Sequence, residues 1–299
     1  MTVFTEQDNP KTTRIDTLPI IEAISLINDE DKLVADAVEK VLPQIAEAVE
    51  HIVKRLRNDG RLFYVGTGTS GRLGVLDASE IPPTFGVSFD LVQGVIAGGY
   101  DALFKAVEAS EDDKKAGKSD LEKRNLSEKD IVIGIAASGR TPYTIGAVEF
   151  GKELGCFTAC ITCNPHSKIT KKVDVSIVPV VGPEAITGST RMKAGTAQKM
   201  VLNMISTAAM IQLGYVKGNK MSNLKPKNTK LVERSLRILM DELELDKKSA
   251  KNLFLSAKKD LRAALVMGKT GASYKTSSKT LEIAKYVVED AVKKVNATL

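Results

Sequence analysis

The chain has 299 residues, 43% hydrophobic and 27% charged, which is typical of a globular protein and excludes a wholly disordered, collagen-like or membrane-embedded chain. This length suits either one large domain with smaller appendages or two domains, and it can bury a sizeable core without disulfides or metals. The formal net charge of +6 can attract phosphate or nucleic acid, but the lysine-rich stretches lack interleaved aromatic residues, so we interpret them as solvated helices and expect no nucleic-acid partner.

Residues 1–44 are predicted to form an irregular segment followed by the first part of a long helix. The opening segment is polar and acidic, which excludes a secretory signal peptide, and no apolar run approaches the roughly 20 residues of a membrane span. We therefore expect a cytoplasmic protein without membrane contact. Asp29–Asp31 can open the helix, apolar residues recur at helical spacing from Val34 to Ile52, and Gly60 ends it.

Residues 45–215 alternate short apolar strands with helices. Strands are predicted at 61–66, 89–95, 130–136, 157–163 and 174–181, and helices at 70–79, 101–108, 141–154 and 190–213. Strands rich in valine and isoleucine that are separated by helices are typical of a mostly parallel sheet covered on both faces. We therefore predict a doubly wound α/β domain with a five-stranded sheet.

Three cysteines lie around the apolar run near the fourth strand: Cys156, Cys160 and Cys163. A zinc site would need a second pair, and a redox motif would need a helix start. Because the run is predicted to be a buried strand, we interpret these cysteines as small hydrophobic core residues.

The C-terminal third shows only helical periodicity. Residues 216–228 are rich in Gly, Pro, Asn and Lys and are predicted to form a linker, whereas residues 229–299 are predicted to form a small helical bundle. Gly268 and Gly271 are the expected breaks between its helices, and apolar residues from Leu281 to Val295 indicate a final helix.

Three loops rich in Gly, Ser and Thr are candidates for phosphate binding. The first spans 66–72 and the second 137–141, each between a strand and a helix, and the third spans 187–193 at the start of the long helix. In a doubly wound sheet, ligands bind outside the carboxyl ends of the strands, where glycines admit an anion and hydroxyls and helix N–H groups donate to it. The candidate binding residues are Thr67, Gly68, Thr69, Ser70, Gly71, Arg72, Ser138, Gly139, Arg140, Thr141, Ser189, Thr190 and Lys193, with Glu184 beside the third loop.

Neither a dinucleotide fingerprint nor a P-loop pattern fits these loops. Any one of them is explained equally well as a plain turn whose Ser or Thr caps the next helix. Three such loops, each tied to a strand end, favour phosphate binding.

Two glutamates are candidates for acid–base catalysis. Glu80 lies at the predicted end of the helix after the first loop, just before two prolines, where the helix dipole disfavours a carboxylate. Glu111 lies in a run of three acids whose ordinary interpretation is solvated surface. Acid–base chemistry commonly uses paired carboxyl groups, but periodicity does not bring these two together. Neither histidine, His51 or His166, completes a nucleophilic triad, and we expect no metal site.

Four sets of motifs resemble the N-acetylmuramic acid 6-phosphate etherases. They are VGTGTSGRLGVLDASEIPPTFG, IAASGRTPYTIGA, GPEAITGSTRMKAGTAQKMVLNM and the opening TEQDNP, IDTL and LINDED, and the resemblance covers essentially the whole chain. It implies a sugar isomerase (SIS) domain of flavodoxin-like topology, a homodimer with N-terminal helices in its interface, and a C-terminal helical domain similar to a ubiquitin-associated fold.

The resemblance also implies a reaction. In that family, N-acetylmuramic acid 6-phosphate and water give N-acetylglucosamine 6-phosphate and D-lactate without a cofactor, in the recycling of bacterial cell-wall sugars. Glu80 matches the family's proton donor, and Glu111 matches its second acidic residue, although Ala109 stands where the family usually has glycine. By this hypothesis Glu111 removes the C2 proton of the open-chain sugar, and Glu80, kept protonated by burial near Ile81 and Phe85, protonates the departing ether oxygen.

Two other classes of protein remain as alternatives. A non-catalytic sugar-phosphate sensor similar to the glucokinase regulatory protein would carry two copies of the sheet domain, whereas this chain has one. An aldose–ketose isomerase would release no lactate, and a SIS-type transcription regulator would need an N-terminal helix-turn-helix, for which residues 1–44 are too few.

Overall fold

The computed structural model describes residues 4–105, 107, 110–216, 218–220, 223 and 229–298. The chain divides into two compact units: the first runs up to Ser79 and includes Phe89–Thr207, and the second comprises Glu80–Ser88 and the chain from Ala208 onward. Within the described ranges, no helix is long and apolar enough to cross a membrane.

The first unit is built on a five-stranded parallel sheet. Its strands are β1 (Leu62–Gly66), β2 (Val92–Ile96), β3 (Ile131–Ile135), β4 (Phe157–Ile161) and β5 (Val175–Ile177). They pair in the order β2-β1-β3-β4-β5. Every residue of β1, β3 and β4 is buried, as expected for central strands covered on both faces. The predicted doubly wound parallel sheet is confirmed.

Six helices of the described residues begin in the first unit and flank the sheet. They are α1 (Ile20–Glu39), α2 (Leu42–Arg57), α3 (Gly68–Phe85), α4 (Lys114–Glu122), α5 (Pro142–Glu153) and α6 (Lys193–Gln212). On one face, Leu121 of α4 and Tyr143 of α5 join Phe63 and Val132 in a buried core. On the other face His51 of α2 stacks on Phe157, with ring centroids 4.4 Å apart.

The predicted single N-terminal helix is wrong in its bounds. The structure has two helices: α1 begins nine residues before Asp29, at Ile20, and α2 begins at Leu42. Pro43 lies in the first turn of α2, and since proline has no N–H, the hydrogen-bond ladder of α1 cannot continue through it. The apolar pattern runs on across this break, so periodicity alone did not reveal it.

Helix α3 is longer than predicted. It continues past Ser79 through two prolines, Pro82 and Pro83, to Phe85, and it ends where Gly86 adopts φ 68° and its N–H donates to the Pro82 carbonyl at 2.9 Å. The predicted helix at 101–108 is only a 3₁₀ turn at Gly99–Leu103, and residues 106, 108 and 109 lie outside the described residues.

The second unit contains a bundle of short helices. They are α7 (Thr229–Leu243), α8 (Lys247–Ser256), α9 (Leu261–Thr270), α10 (Tyr274–Ile283) and α11 (Val288–Asn296). They enclose one apolar core that includes Leu239, Phe254 and Leu265. Most of the predicted linker lies outside the described residues.

Two predictions about this bundle need correction. Gly268 lies inside α9 and does not break it, whereas Gly271 caps its C-terminus with φ 72°. The predicted final helix is two helices, because Lys285 and Tyr286 between them adopt positive φ angles of 49° and 64°, which end α10.

The three cysteines are free and buried, which confirms their interpretation as core residues. Cys160 lies in β4, and burial raises the pKa of its thiol to about 12.

Candidate functional site

The sheet places the first two predicted loops side by side. The strand order reverses direction between β1 and β3, and in an open α/β sheet this switch point is where ligands bind, beyond the carboxyl ends of the strands. Residues 67–72 follow β1, and residues 136–141 follow β3. Both loops therefore border the same crevice.

The first loop is a tight turn that starts α3. Gly68 adopts φ 49°, and the Gly71 N–H donates to the Thr67 carbonyl at 2.9 Å. The Ser70 hydroxyl donates to Gln198 Oε1 on α6 at 2.9 Å. Ser70 thus ties the first loop to α6.

Thr69 provides a second contact between the first loop and α6. Its Cγ2 lies 3.4 Å from the point at which a β-carbon on Gly195 would stand. The start of α6, and with it the third loop, is therefore brought to the crevice.

Arg72 binds backbone carbonyls of the chain after β2. Its Nε and one terminal guanidinium nitrogen donate to the carbonyls of Leu103 and Lys105, each at 3.2 Å. The guanidinium therefore holds the segment after β2, and its contribution to a phosphate site stays a prediction.

The second loop keeps polar groups near the start of α5. The Ser138 hydroxyl accepts from the Arg140 N–H at 3.3 Å, and Gly139 adopts φ 64°. Thr141 precedes α5 without a side-chain cap bond. Asn164, in the loop after β4, donates to the Ser138 carbonyl at 3.2 Å and holds this loop in place. Arg140 is exposed.

Glu184 occupies the N-terminus of α6. Its two carboxylate oxygens accept from the N–H groups of Lys193 and Ala194, each at 2.9 Å. Burial raises the pKa of Glu184 more than these hydrogen bonds lower it. Since these two N–H groups are already bound, they are not the phosphate donors that the sequence predicted for the third loop.

Lys193 is buried in an ionic cluster with α1. Its ammonium group contacts Glu30, whose carboxylate also accepts from Asn9 at 2.8 Å and pairs with Lys11 at 3.2 Å. Burial acts to raise the pKa of Glu30, but the hydrogen bonds from Lys193, Lys11 and Asn9 outweigh it and lower the pKa. Lys193 therefore fixes the third loop to α1, and Ser189 and Thr190, both half-buried, remain as that loop's candidate ligands.

Glu111 lies at the first loop. Its Oε1 is 3.3 Å from the point at which a β-carbon on Gly68 would stand, and its carbonyl accepts from the Tyr143 N–H at 3.0 Å. Glu111 is thus held between the first loop and the first turn of α5, beside the crevice. Its interpretation as plain solvated surface does not describe this position.

Glu80 lies in the second unit and is exposed on α3. Ile81 and Phe85 are buried, at 4% and 5% exposure, but they do not bury Glu80. The expectation that Glu80 is buried is therefore wrong for the single chain. The expected clash with the helix dipole is also absent, since α3 continues for five residues beyond Glu80.

Comparison with known proteins identifies the family. The chain is 51% identical to the N-acetylmuramic acid 6-phosphate etherase of Clostridium botulinum (strain Loch Maree / Type A3) over 98% of its own length and 97% of that relative's. The chain belongs to the N-acetylmuramic acid 6-phosphate etherase family. Etherases of the same name from Clostridioides difficile and Salmonella schwarzengrund are 49% and 50% identical, over 98% and 90% of this chain and 96% and 91% of theirs.

Domain models agree with membership of the etherase family. Residues 44–152 match the glucokinase regulatory protein N-terminal SIS domain, and residues 114–208 match the SIS domain. A crystal structure from Bacteroides fragilis, described as a phosphosugar isomerase involved in capsule formation, has a TM-score of 0.51 at 21% identity and covers 67% of this chain and 95% of its own. That likeness supports the SIS fold.

Sequence reasoning missed three residues that organise this etherase-family site: Gln198, Asn164 and Tyr143. Gln198 is buried on α6, and a buried amide needs a partner, but its burial was not visible in the sequence. Asn164 stands three residues after the end of β4, at the same sheet edge as the loops, and its position was the available signal. No pattern pointed to Tyr143, whose contribution here is its backbone N–H.

Proposed function

We propose that this protein is an N-acetylmuramic acid 6-phosphate etherase, which converts its substrate and water to N-acetylglucosamine 6-phosphate and D-lactate in the recycling and catabolism of cell-wall amino sugars. The observation that carries this proposal is the carboxylate of Glu111 beside Gly68, at the switch point of a SIS-type sheet. A base at this position faces the crevice in which such sheets bind their ligands.

The relatives support an enzyme over the sensor alternative. Proteins that are 49–51% identical over 98% of the chain carry the etherase name. The match to the glucokinase regulatory protein covers residues 44–152, and it reflects the shared SIS domain. The sensor interpretation is therefore not favoured.

We assign phosphate binding to hydroxyls and backbone N–H groups of the three loops. The half-buried side chains that border the crevice are Thr69, Ser138, Thr141, Ser189 and Thr190. Hydroxyl groups and unpaired N–H groups at glycine-rich turns suit a phosphate because they are small, uncharged hydrogen-bond donors. Ser70, Arg72, Glu184 and Lys193 act by holding these loops.

The proposed chemistry is an elimination followed by hydration. Opening of the sugar ring makes C1 an aldehyde, which acidifies the C2 proton, and Glu111 takes that proton. The C3–O bond then breaks with its electron pair going to oxygen, and Glu80, by its match to the family's motif, supplies the proton that lets lactate leave. Water adds across the C2–C3 double bond, with hydroxyl to C3 and hydrogen to C2.

We also propose that the protein works as a homodimer in the cytoplasm. A sugar phosphate carries charge that does not cross a lipid bilayer unaided, so the enzyme must share its compartment with the substrate. Helix α1 exposes three isoleucines, Ile20, Ile21 and Ile24, at 80%, 70% and 56%, and exposed large apolar side chains grouped at one end of a helix support a protein interface.

The test is incubation with N-acetylmuramic acid 6-phosphate in ¹⁸O-labelled water. We expect ¹⁸O at C3 of the product sugar and unlabelled D-lactate, because the C3–O bond is the one that breaks. Label in the lactate would place the cleavage on the lactyl side and contradict the elimination. Binding of the substrate without any lactate release would establish the sensor alternative.

A further inference from the structure

The N-terminal halves of α4 and α5 meet at two glycines, Gly117 and Gly146. A β-carbon on Gly117 would stand 2.1 Å from the Tyr143 carbonyl oxygen, and one on Gly146 would stand 2.1 Å from the Lys114 carbonyl oxygen. The contact is reciprocal: each helix offers a glycine to the backbone of the other. Real β-carbons do not approach an oxygen so closely, and backbone atoms cannot swing aside as the end of a side chain can.

This contact lies next to the candidate base. Asp113 caps α4 by accepting from the N–H groups of Lys115 and Ala116 at 2.9 and 3.0 Å, so the residues after Glu111 are fixed to the start of α4. The Glu111 carbonyl in turn accepts from the Tyr143 N–H, one residue into α5. Glu111 is therefore anchored to the first turns of both α4 and α5. The distance between these turns sets the position of the Glu111 backbone, from which its side chain extends.

Side-chain contacts between the two helices reinforce the same pairing. The Tyr143 hydroxyl donates to Asp120 Oδ2 at 2.8 Å, and Lys114 pairs with Glu149 at 2.5 Å. Glycine inside a helix is unfavourable, and two glycines at this junction are explained by the close approach that only they permit.

We propose that Gly117 and Gly146 are positioning residues for the etherase reaction: their backbone contact sets the spacing of α4 and α5 and so holds the Glu111 carboxylate at the first loop. This inference rests on the proposed function of Glu111 as the base. It assigns no contact between either glycine and the substrate.

The experiment compares Gly117→Ala and Gly146→Ala with Gly60→Ala in the full-length protein. Gly60 is a matched control, because a β-carbon there would stand 2.2 Å from the Lys129 carbonyl oxygen, yet it precedes β1 at the opposite edge of the sheet from the crevice. We expect kcat for lactate release to fall about 10- to 100-fold in the two test variants, with KM changed less than about threefold, since neither glycine belongs to the three phosphate loops.

A second readout does not depend on turnover. Exchange of the Tyr143 amide hydrogen reports directly on its bond to the Glu111 carbonyl, and we expect it to accelerate at least about tenfold in Gly117→Ala and Gly146→Ala but not in Gly60→Ala. If the test variants do not fold, Tyr143→Phe replaces them, because it removes only the bond to Asp120 and should shift both readouts in the same direction by a smaller factor.

Three outcomes overturn the inference: unchanged kcat and amide exchange in the test variants, an equal kcat loss in Gly60→Ala, or a loss confined to KM. A wild-type protein that releases no lactate would instead refute the proposed function, and Tyr143 amide exchange would still decide whether the glycines position Glu111.

Discussion

Glu111 presents its carboxylate to Gly68, with Oε1 3.3 Å from the place that a Gly68 β-carbon would take. The contact joins the candidate base to the turn that begins α3, across the gap between two chain segments about 40 residues apart in sequence. Replacing Gly68 by alanine therefore alters the base and the phosphate loop together.

We expect Gly68→Ala to lower kcat/KM about 100-fold, because the new methyl group displaces the carboxylate from its productive position. Alanine at φ 49° also costs roughly 1–2 kcal/mol of stability. Gly271→Ala is the matched control, since Gly271 has φ 72° with nothing within 4 Å and lies in the C-terminal helices. Steady-state lactate release and thermal unfolding of both variants check this. Equal kcat/KM values for Gly68→Ala and Gly271→Ala would show that backbone strain alone explains any loss of activity.

Replacing Glu111 by glutamine should remove the base and leave the size of the side chain unchanged. We expect lactate release to fall by about 10²- to 10⁴-fold, the usual contribution of general acid–base catalysis, while calorimetric binding of N-acetylmuramic acid 6-phosphate persists. Asp112→Asn, a change in the exposed neighbouring acid, is the control. A Glu111→Gln enzyme with full turnover would exclude Glu111 as the base.

Glu80→Gln should stop the reaction at a later step. If Glu111 removes the C2 proton and Glu80 protonates the leaving oxygen, the Glu80→Gln enzyme loses lactate release but still exchanges the C2 hydrogen with solvent deuterium. The Glu111→Gln enzyme loses both. Proton NMR of the substrate in D₂O separates the two roles. Loss of C2 exchange in Glu80→Gln, or retention of lactate release, would contradict the assignment of Glu80 as the acid.

The strands were predictable from sequence because their signal is local. Residues 131–135 read IVIGI, a short apolar run that is typical of a strand covered on both faces. The three loops at the carboxyl ends followed from the same alternation of strands and helices. Strand order was not predictable from this pattern, since pairing depends on contacts between distant segments.

Helix α4 was missed for a physical reason. Its sequence, KKAGKSDLE, is polar, and among its residues only Gly117 and Leu121 are buried, so it has almost no apolar stripe to detect. Its stability comes from the Asp113 cap and from packing on α5. The backbone contacts of Arg72 and Glu184 were not predictable either, because a charged side chain in a loop gives no local sign of whether a ligand or a backbone group binds it.

The proposed homodimer predicts an effect at Ile21. Helix α1 leaves this side chain 70% exposed, and burying one isoleucine in an interface contributes about 1.5–3 kcal/mol. We expect Ile21→Glu to convert a two-chain assembly to one chain in light-scattering chromatography, because it places a charge in that interface. Ile283→Glu, at a position 61% exposed on α10, should leave the mass unchanged. A one-chain mass for the wild-type protein would exclude the dimer.

The buried pair between Glu30 and Lys193 predicts a pH-dependent stability. Because hydrogen bonds to Glu30 lower its pKa despite its burial, the pair stabilises the fold fully above the ordinary glutamate pKa of about 4.3, and this contribution disappears as pH falls through the lower pKa of the folded state. Glu30→Gln leaves Lys193 buried without its counter-charge, which should cost about 3–5 kcal/mol at pH 7.

Thermal unfolding at pH 7, 5, 4 and 3 should show the stability gap between wild type and Glu30→Gln closing at the acid end. Asp31→Asn, a change in the exposed neighbouring acid, should show a small gap throughout, and a gap for Glu30→Gln that stays constant down to pH 3 would mean that Glu30 acts by packing and not by charge.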